Sequence, residues 1–216
     1  MAAFELISTV LTPATSYDLV KRADVKIELA ITGNDENAWI DAAITRCSKA
    51  VANYCNRVLV VETVQDEFWP RRDPVPRLMK GGLDPLQLSR YPAVSVSSVV
   101  ENAVTLVDGT DFRSNLDKGQ MIRLNADTGY PKSWPAFPIV VQYVAGFSSI
   151  PDDIVDATIR LIKARRDARN RDPYLKEQNI PGVIEQQWWV ASPGETGNMP
   201  PDVTDLLDNY RVPVTA

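Results

Sequence analysis

Residues 34–57 have the sequence NDENAWIDAAITRCSKAVANYCNR, which is the strongest structural signal in the chain. Apolar residues recur in it at intervals of three and four, so they fall on one side of an α-helix. Asn34 is the expected N-cap, and Asp35 and Glu36 complement the helix dipole. A helix of this length is about 36 Å long and must be covered by other parts of the chain. The predicted buried stripe consists of Ile40, Ala43, Ile44, Cys47, Val51, Tyr54, Cys55 and Val58.

Two more long helices are predicted, one on each side of this stretch. The first runs from about residue 16 to residue 32, where Gly33 ends it, so that it forms a tight hairpin with the next helix. The second opens at Pro151, where two aspartates follow in the first turn, and it ends at Asp172 before a proline. The predicted buried residues are Leu19, Ala23, Ile27 and Ala30 in the first helix, and Ile154, Ala157, Thr158, Leu161, Ile162 and Ala168 in the second.

Between these helices the period changes to that of β-strands. Strands are predicted at 60–69, 86–88, 94–100, 104–107, 120–124 and 139–144, while residues 1–15 form an extended lead-in. The sequence therefore predicts an α+β fold with a three-helix core, an inserted small antiparallel β region and an extended C-terminal arm. The helical core spans residues 1–172 with the β insertion at about 60–148, and the arm spans 173–216 with a short terminal helix at about 202–210.

Composition excludes several kinds of chemistry. The chain has 216 residues, a net charge of −5 and no histidine. Without histidine there is no Ser-His-Asp or Cys-His catalysis and no His-ligated zinc. Phosphate-binding, dinucleotide-binding and metalloprotease motifs are missing as well. Asp108, Asp111 and Asp117 lack the spacing of a calcium loop and are explained as turn residues. We predict no catalytic residue, no cofactor and no metal.

The two cysteines, Cys47 and Cys55, lie eight residues apart on the organising helix. About 12 Å of helical rise separates them, which is too far for a disulfide. They are expected to be small buried hydrophobic residues in a reducing compartment. The sequence shows no signal peptide and no apolar run of membrane-spanning length, so we expect assembly in a cytoplasm and no membrane partner.

The helix after Pro151 carries a basic face, which is the one feature that favours nucleic-acid binding. Arg160, Lys163, Arg165, Arg166, Arg169 and Arg171 form it. The simpler interpretation is a solvated helix face that lies against acidic neighbours. Residues 5–41 hold seven acids and three bases, so blocks of opposite charge suit docking between copies or partners.

Two segments contain candidate partner-binding residues. The loop at 70–85 carries Arg71, Arg72, Arg77 and Lys80, and it is either a charged surface loop or a binding loop. The arm carries the Trp188-Trp189 pair, which either folds back on the core or contacts a partner. Near the end of the chain, Tyr210 and Arg211 complete this candidate set.

Several stretches, in this order, resemble the head–tail connector, or adaptor, proteins of long-tailed phages and gene-transfer agents. The first is VKIELAITGNDENAWIDAAITRCSKAVANYCNRVLV, which runs into VETVQDEFW. Next come LQLSRYPAVSVSSV, VDGTDF and GQMIRL. The last are WPAFPIVVQYVAGFSSIPDDIVDATIRLIKARRDARNRDP and the closing LLDNYRVP. The arginine-rich loop and the Trp188-Trp189 segment are less typical of this family.

The resemblance implies a non-enzymatic virion protein of the phage neck. In such families the copies form a ring, commonly a dodecamer, under the portal protein, and tail or neck completion proteins attach to it. The C-terminal segment typically reaches into the portal, and DNA passes through the ring without specific binding. Three alternatives stay open: a nucleic-acid-binding module that uses the basic helix face, a carboxylate hydrolase, and a head-completion or tail-terminator protein.

Overall fold

The computed structural model of the chain describes residues 4–70, 85–135, 137–169, 177–180, 184–187 and 199–213. Eleven strands and four α-helices lie in these ranges. The strands are β1 (Phe4–Thr12), β2 (Glu62–Pro70), β3 (Leu86–Gln87), β4 (Ala93–Glu101), β5 (Val104–Thr105), β6 (Phe112–Asn115), β7 (Gln120–Leu124), β8 (Pro131–Lys132), β9 (Ile139–Ala145), β10 (Glu177–Ile180) and β11 (Ile184–Gln187). The helices are α1 (Arg22–Glu28), α2 (Asn37–Cys55), α3 (Asp152–Asp167) and α4 (Pro201–Leu207), and a 3₁₀ turn (Asp208–Tyr210) follows α4.

The chain divides into two compact units. Unit 1 consists of Met1–Thr15 and Val60–Ser149, and unit 2 of Ser16–Leu59 and Ile150–Ala216. In the described ranges, unit 1 contains two antiparallel sheets. One has five strands in the order β1-β2-β9-β4-β5, and the other has four, with β3, β6 and β8 all pairing with β7. In unit 2, α1, α2, α3 and α4 pack together, and β10 and β11 form a separate two-stranded sheet.

The predicted α+β fold on a three-helix core is wrong, because the chain is mostly β. The first predicted helix shrinks to the seven residues of α1, which buries only Val25. Ile27, expected in its buried stripe, is 79% exposed, and Ala30 has a left-handed backbone that ends the turn. In addition, β1 pairs with β2 along most of its length, although each pair of residues is more than fifty positions apart in sequence. Local periodicity does not report such long-range pairing.

The core of unit 1 lies between the two sheets. β9, and β2 as far as Phe68, alternate between buried and half-buried residues, as strands with one core-facing side do. Both sheets contribute to one apolar cluster that includes Val64, Phe68, Leu86, Leu88, Val99, Phe112, Met121, Ile139, Val141 and Tyr143. The predicted strand at 120–124 matches β7, whereas β1, β6, β8, β10 and β11 were not predicted as strands.

A buried carboxylate fastens the five-stranded sheet to the segment after β3. Asp66 on β2 is fully buried and accepts three hydrogen bonds. The backbone N–H and the hydroxyl of Ser89 each donate at 2.7 Å, and the phenol of Tyr143 donates at 2.8 Å. The Tyr143 oxygen in turn accepts the N–H of Arg90 at 3.1 Å. A buried carboxylate needs such partners, because an unpaired one would carry a large desolvation penalty.

A second buried network, centred on Arg123 of β7, joins the two sheets. Its guanidinium donates to the carboxylate of Glu101 on β4 at 3.1 Å and to the carbonyl oxygen of Leu124 at 3.1 Å. It also contacts the carboxylate of Asp111 at 3.3 Å. Arg123 and Glu101 are both buried, and losing either partner would leave an uncompensated charge in the core.

The Tyr-Val-Ala-Gly-Phe segment at 143–147, one of the stretches that carried the family resemblance, has a structural reason for its glycine. Gly146 has a φ of +111°, a backbone conformation that favours glycine. A Cβ at this position would lie 2.2 Å from the carbonyl oxygen of Val60. Only a residue without a side chain therefore allows the chain to pass here.

Unit 2 is built on the stretch that opened the sequence analysis. α2 buries Ile40, Ala43, Ile44, Cys47, Ser48, Val51 and Cys55, which confirms the predicted stripe except for Tyr54 and Val58, both half-buried. α2 begins at Asn37, three residues after the predicted N-cap, and ends at Asn56 in a left-handed conformation. α3 starts after Pro151 and carries the two aspartates in its first turn, as predicted. Both cysteines are free and buried, which confirms the prediction that they are buried and form no disulfide with each other.

The Asp66 network predicts how Tyr143→Phe behaves with pH. Burial, and then the nearby Asp66 charge, raises the pKa of Tyr143 well above its usual range. The phenol thus stays protonated in the folded protein when that of the unfolded chain ionises near pH 10. Its contribution to stability is fully present below pH 10 and is lost as the pH rises further. Tyr143→Phe should lower the free energy of unfolding by about 1–2 kcal/mol at pH 7, and this gap should narrow above pH 10.

Urea unfolding of both chains between pH 7 and pH 11 measures this gap. Tyr130→Phe is the matched control, because Tyr130 is 74% exposed in the same unit. A gap of constant size across this pH range would contradict the assigned role of the phenol.

Candidate docking surfaces

The first candidate surface is the outer edge of the five-stranded sheet, formed by β1. β1 pairs with β2 on one side, and it ends the strand order on the other. Its pairing runs without interruption from Phe4 to Val10, and Glu5 is its only charged residue. Such an edge presents a row of unpaired backbone donors and acceptors. We call β1, together with the neighbouring Trp69, the β1 edge.

Apolar side chains stand exposed on both faces of this strand. The exposed fractions are 40% for Leu6, 49% for Ile7, 38% for Val10 and 46% for Leu11. Trp69 lies across from Glu5 in the β1–β2 register and is 40% exposed. Natural proteins usually protect an edge with a short strand, a bulge, a proline or an inward charge. β1 has none of these before its register shift between Val10 and Thr12.

The opposite edge of the same sheet is protected. β5 contains only two residues and covers one end of β4. β4 carries register shifts between Ala93 and Ser95 and between Val96 and Ser98. Bulges of this kind disrupt the ladder and discourage a further strand. Among the described residues, the sheet is therefore open at the β1 edge and blunted at the other.

Polar side chains line up on the face of this sheet that points away from the core. Gln142 donates to Gln65 at 2.8 Å, Gln65 donates to Glu67 at 2.8 Å, and the Trp69 indole donates to Glu67 at 3.3 Å. The row links β9 to β2 through their side chains and fixes Trp69 beside the β1 edge. The indole N–H of Trp69 is thus hydrogen-bonded while the side chain is 40% exposed, and exposed aromatic groups are typical of docking surfaces.

Two of the eight predicted partner-binding residues, Tyr210 and Arg211, lie in the described ranges. The hydroxyl of Tyr210 donates to Asp153 at 3.2 Å. The guanidinium of Arg211 lies 5.2 Å from the ring centre of Tyr54, whose hydroxyl donates to Asp208 at 2.6 Å. Both predicted residues thus contact other residues of unit 2. Arg71, Arg72, Arg77, Lys80, Trp188 and Trp189 lie outside the described residues, so their role stays a prediction.

The last described residues are anchored to the end of α2. The N–H of Val212 donates to the carbonyl of Cys55 at 2.9 Å, and the side chain of Asn56 donates to the carbonyl of Val212 at 3.4 Å. Earlier in the sequence, Met199 and the α4 residues Val203 and Leu207 are buried. Residues 199–212 are therefore held within unit 2 by packing and by hydrogen bonds.

The predicted basic face of α3 is largely paired within the chain. Arg160 contacts Asp156 at 2.9 Å and Asp202 at 3.8 Å. Glu36 contacts Arg166 at 2.8 Å and Arg169 at 3.4 Å. Arg169 also stacks over the ring of Trp39, 4.9 Å from its centre. Lys163 and Arg165 are exposed, and Arg171 lies beyond the described part of α3.

Evidence for a reactive centre is weak in the part of the chain that the structure describes. No group of three or more Cys, Asp or Glu residues there is arranged to hold a metal ion. Burial raises the pKa of Cys55 to about 11 and that of Cys47 above its usual value, which keeps both thiols protonated at neutral pH. The carboxyl of Asp111 accepts the N–H of Val107 and faces Arg123, and these contacts lower its pKa. Asp111 therefore stabilises a turn, as its sequence position predicts.

Each helix in the described ranges is too short or too polar to cross a bilayer.

Comparison with known proteins finds a likeness among solved structures. No protein-family model and no curated protein matches the chain. Among solved structures, a chain from the neck of an empty gene transfer agent (GTA) particle, computed with C6 symmetry, matches with a TM-score of 0.54. The two sequences are 17% identical, and the match covers 97% of each chain. At this identity the likeness establishes a shared fold.

The buried side of α4 predicts a stability difference between two adjacent leucines. Leu207 is fully buried, whereas Leu206 is only half-buried. Leu207→Ala should lower the free energy of unfolding by about 2–5 kcal/mol because it removes core contacts. Leu206→Ala is the matched control and should cost about 1 kcal/mol or less. Urea unfolding of both variants measures the difference, and equal losses would contradict the packing of α4 on unit 2.

Proposed function

We propose that the chain is a structural protein of a virion neck, in a phage or a gene transfer agent. Its specific role would be that of a head–tail connector, or adaptor, that forms a ring between the portal and the tail or neck proteins. The observation that carries the proposal is the shared fold with a GTA neck chain over 97% of both molecules. The ordered sequence motifs of the adaptor family point the same way. The protein would act by docking and not by catalysis.

The symmetry of the related particle supports a ring. A neck computed with C6 symmetry accommodates rings whose copy number is a multiple of six, and the adaptor resemblance favours twelve. Twelve copies at −5 would carry −60 in total. Since Lys and Arg contacts to phosphate are strongly attractive, a net negative ring allows DNA to pass without being held.

Partner contacts are proposed for the loop and the arm. Trp188 and Trp189 would contact the portal, because tryptophan is enriched among binding hot spots. Arg71, Arg72, Arg77 and Lys80 would contact a partner protein of the neck. Tyr210 and Arg211 complete the proposed contacts, on a chain end that unit 2 already holds in place. Assembly would take place in the host cytoplasm.

Electron cryomicroscopy of particle necks tests the proposal. Particles from a host strain that lacks the gene should accumulate filled heads without tails, and the full-length chain supplied in trans should restore attachment. Density for the chain should then lie between portal and tail. Normal tailed particles without the chain, or density elsewhere, would overturn the proposal.

Complementation with Trp188→Ala/Trp189→Ala tests the arm. Replacing a buried aromatic anchor typically costs about 2 kcal/mol or more of binding, so tail attachment should fall sharply. Tyr130→Ala, which removes an exposed aromatic residue from unit 1, is the control and should complement normally. Equal complementation by both variants would remove the two tryptophans from the proposed contacts.

The main rival, a nucleic-acid-binding module, is disfavoured by the pairing of Arg160, Arg166 and Arg169 with carboxylates of the same chain. We predict that the purified chain shows no tight duplex-DNA binding in an electrophoretic mobility shift at roughly 150 mM salt, where surface charges are already strongly screened. Tight binding that falls with added salt, and that Lys163→Glu/Arg165→Glu abolishes, would favour the rival.

A further inference from the structure

We infer that the β1 edge of each copy receives the β10–β11 hairpin of a neighbouring copy, so that the hairpin extends the five-stranded sheet. The inference rests on the proposed function in one respect, since it takes a ring of identical copies as the assembly. It goes beyond that function by naming the two elements that join adjacent copies.

The receiving element is a strand with one edge that no described strand occupies. β1 has nine residues, pairs with β2 as its one partner among the described strands, and carries exposed apolar side chains on both faces. An added strand would satisfy the free backbone groups of β1. It would also cover parts of Leu6, Ile7, Val10 and Leu11. This mode of recognition takes its affinity from main-chain hydrogen bonds and its selectivity from side chains.

The donated element is a hairpin that forms a sheet of its own. β10 and β11 have four residues each, and they pair in register from Glu177 with Gln187 to Ile180 with Ile184. A two-stranded hairpin in water is marginally stable at best, and a third strand normally stabilises it. The hairpin therefore lacks a third strand, which β1 could supply, and the β1 edge lacks a pairing strand, which the hairpin could supply.

The length of the tethers allows the hairpin to leave its own subunit. Seven residues, 170–176, join it to the last described residue of the α3 segment, and eleven, 188–198, join it to Met199. Fully extended, these segments span at most about 25 Å and about 40 Å. These lengths are compatible with a hairpin that contacts an adjacent copy while α3 and α4 stay packed in unit 2.

Symmetry favours the hairpin over a second β1 as the occupant. Pairing of β1 with β1 would be isologous and would stop at a dimer, whereas hairpin-to-edge pairing is head-to-tail and can close into a ring. Each copy has one hairpin to donate and one edge to receive it, and the fold likeness is to a neck computed with C6 symmetry. Each contact is modest, but repetition around a closed ring makes the assembly stable.

Cysteine cross-linking between two differently labelled full-length chains tests the inference. One set of chains carries Ile7→Cys, Thr9→Cys or Leu11→Cys on β1, and the other carries Gln178→Cys or Gln186→Cys in the hairpin. The two natural cysteines are buried and free, so they interfere little. Paired strands bring Cα atoms within the roughly 4.4–6.8 Å that a disulfide requires.

The expected result is a covalent heterodimer after mild oxidation of the mixed chains, for at least one pair. The control pair combines the same hairpin cysteine with Val104→Cys on the blunted edge. The heterodimer yield should be about tenfold higher for the β1 pair than for this control, because docking raises the local concentration of the two thiols. Two results of this experiment would overturn the inference: a yield of homodimers between β1 cysteines that exceeds the yield of heterodimers, or no cross-link in the whole panel. A chain that carries both a β1 cysteine and a hairpin cysteine provides a third test, and a disulfide that forms only within that chain would also overturn the inference.

Charge substitutions on the two edges of the sheet provide a second readout. Ile7→Lys/Leu11→Lys places two charges on the β1 edge, where lysine discourages strand addition. Val104→Lys/Val107→Lys is the matched control, since Val104 and Val107 are 62% and 60% exposed. The first variant should keep its circular dichroism spectrum and associate at least about tenfold more weakly in analytical ultracentrifugation, while the control associates like the natural chain. Equal association of the two variants would overturn the inference.

The two proposals fail in different ways. A chain found in particle necks without the heterodimer would refute the inference and leave the neck function standing. A chain that forms the heterodimer but is missing from necks would refute the neck function and leave the edge contact standing.

Discussion

The carboxylate of Asp66 is the constraint on which unit 1 depends. It lies in the apolar core, and there it must accept hydrogen bonds or impose a large desolvation penalty. Ser89 and Tyr143 supply three donors, one of them from the backbone. Satisfying this group fixes the distance between β2, β9 and the chain that leaves β3. Leucine could fill the same space, but it would not specify which segment of the other sheet lies opposite β2.

Arg123 is a second buried charge in unit 1 that needs polar partners, and it joins the two sheets at another point. Its guanidinium binds Glu101 of β4 and two carbonyl or carboxylate groups near β6 and β7. A flat apolar interface between two sheets could slide by two residues without losing much contact, whereas a buried ion pair has one position in which both partners are satisfied. Unit 1 thus combines an apolar core with two polar networks that set its register.

In unit 2, packing and hydrogen bonds hold the last described residues against the helices. Leu207 and Val203 anchor α4 by burial, and Val212 hydrogen-bonds to the end of α2. The β10–β11 hairpin lies between α3 and α4 in sequence, so it is tethered at both ends. In unit 1, by contrast, one edge of the five-stranded sheet, at β1, has no further strand among the described residues. The blunted edge at β4 and β5 limits strand addition to one side of the sheet.

The sequence by itself determined the two long helices, the absence of histidine chemistry and most of the inner strands. Stripes such as Ile40 to Cys55, and the alternation in β2 and β9, are local patterns that reflect which side of an element faces the core. It also placed the candidate residues Tyr210 and Arg211 near the end of the chain, though not their contacts with Asp153 and Tyr54. Only the tertiary structure decided that β1 completes a sheet and that the fold is mostly β. The physical reason is that an edge strand buries little and alternates weakly, so its identity comes from hydrogen bonds to β2, a partner more than fifty residues away.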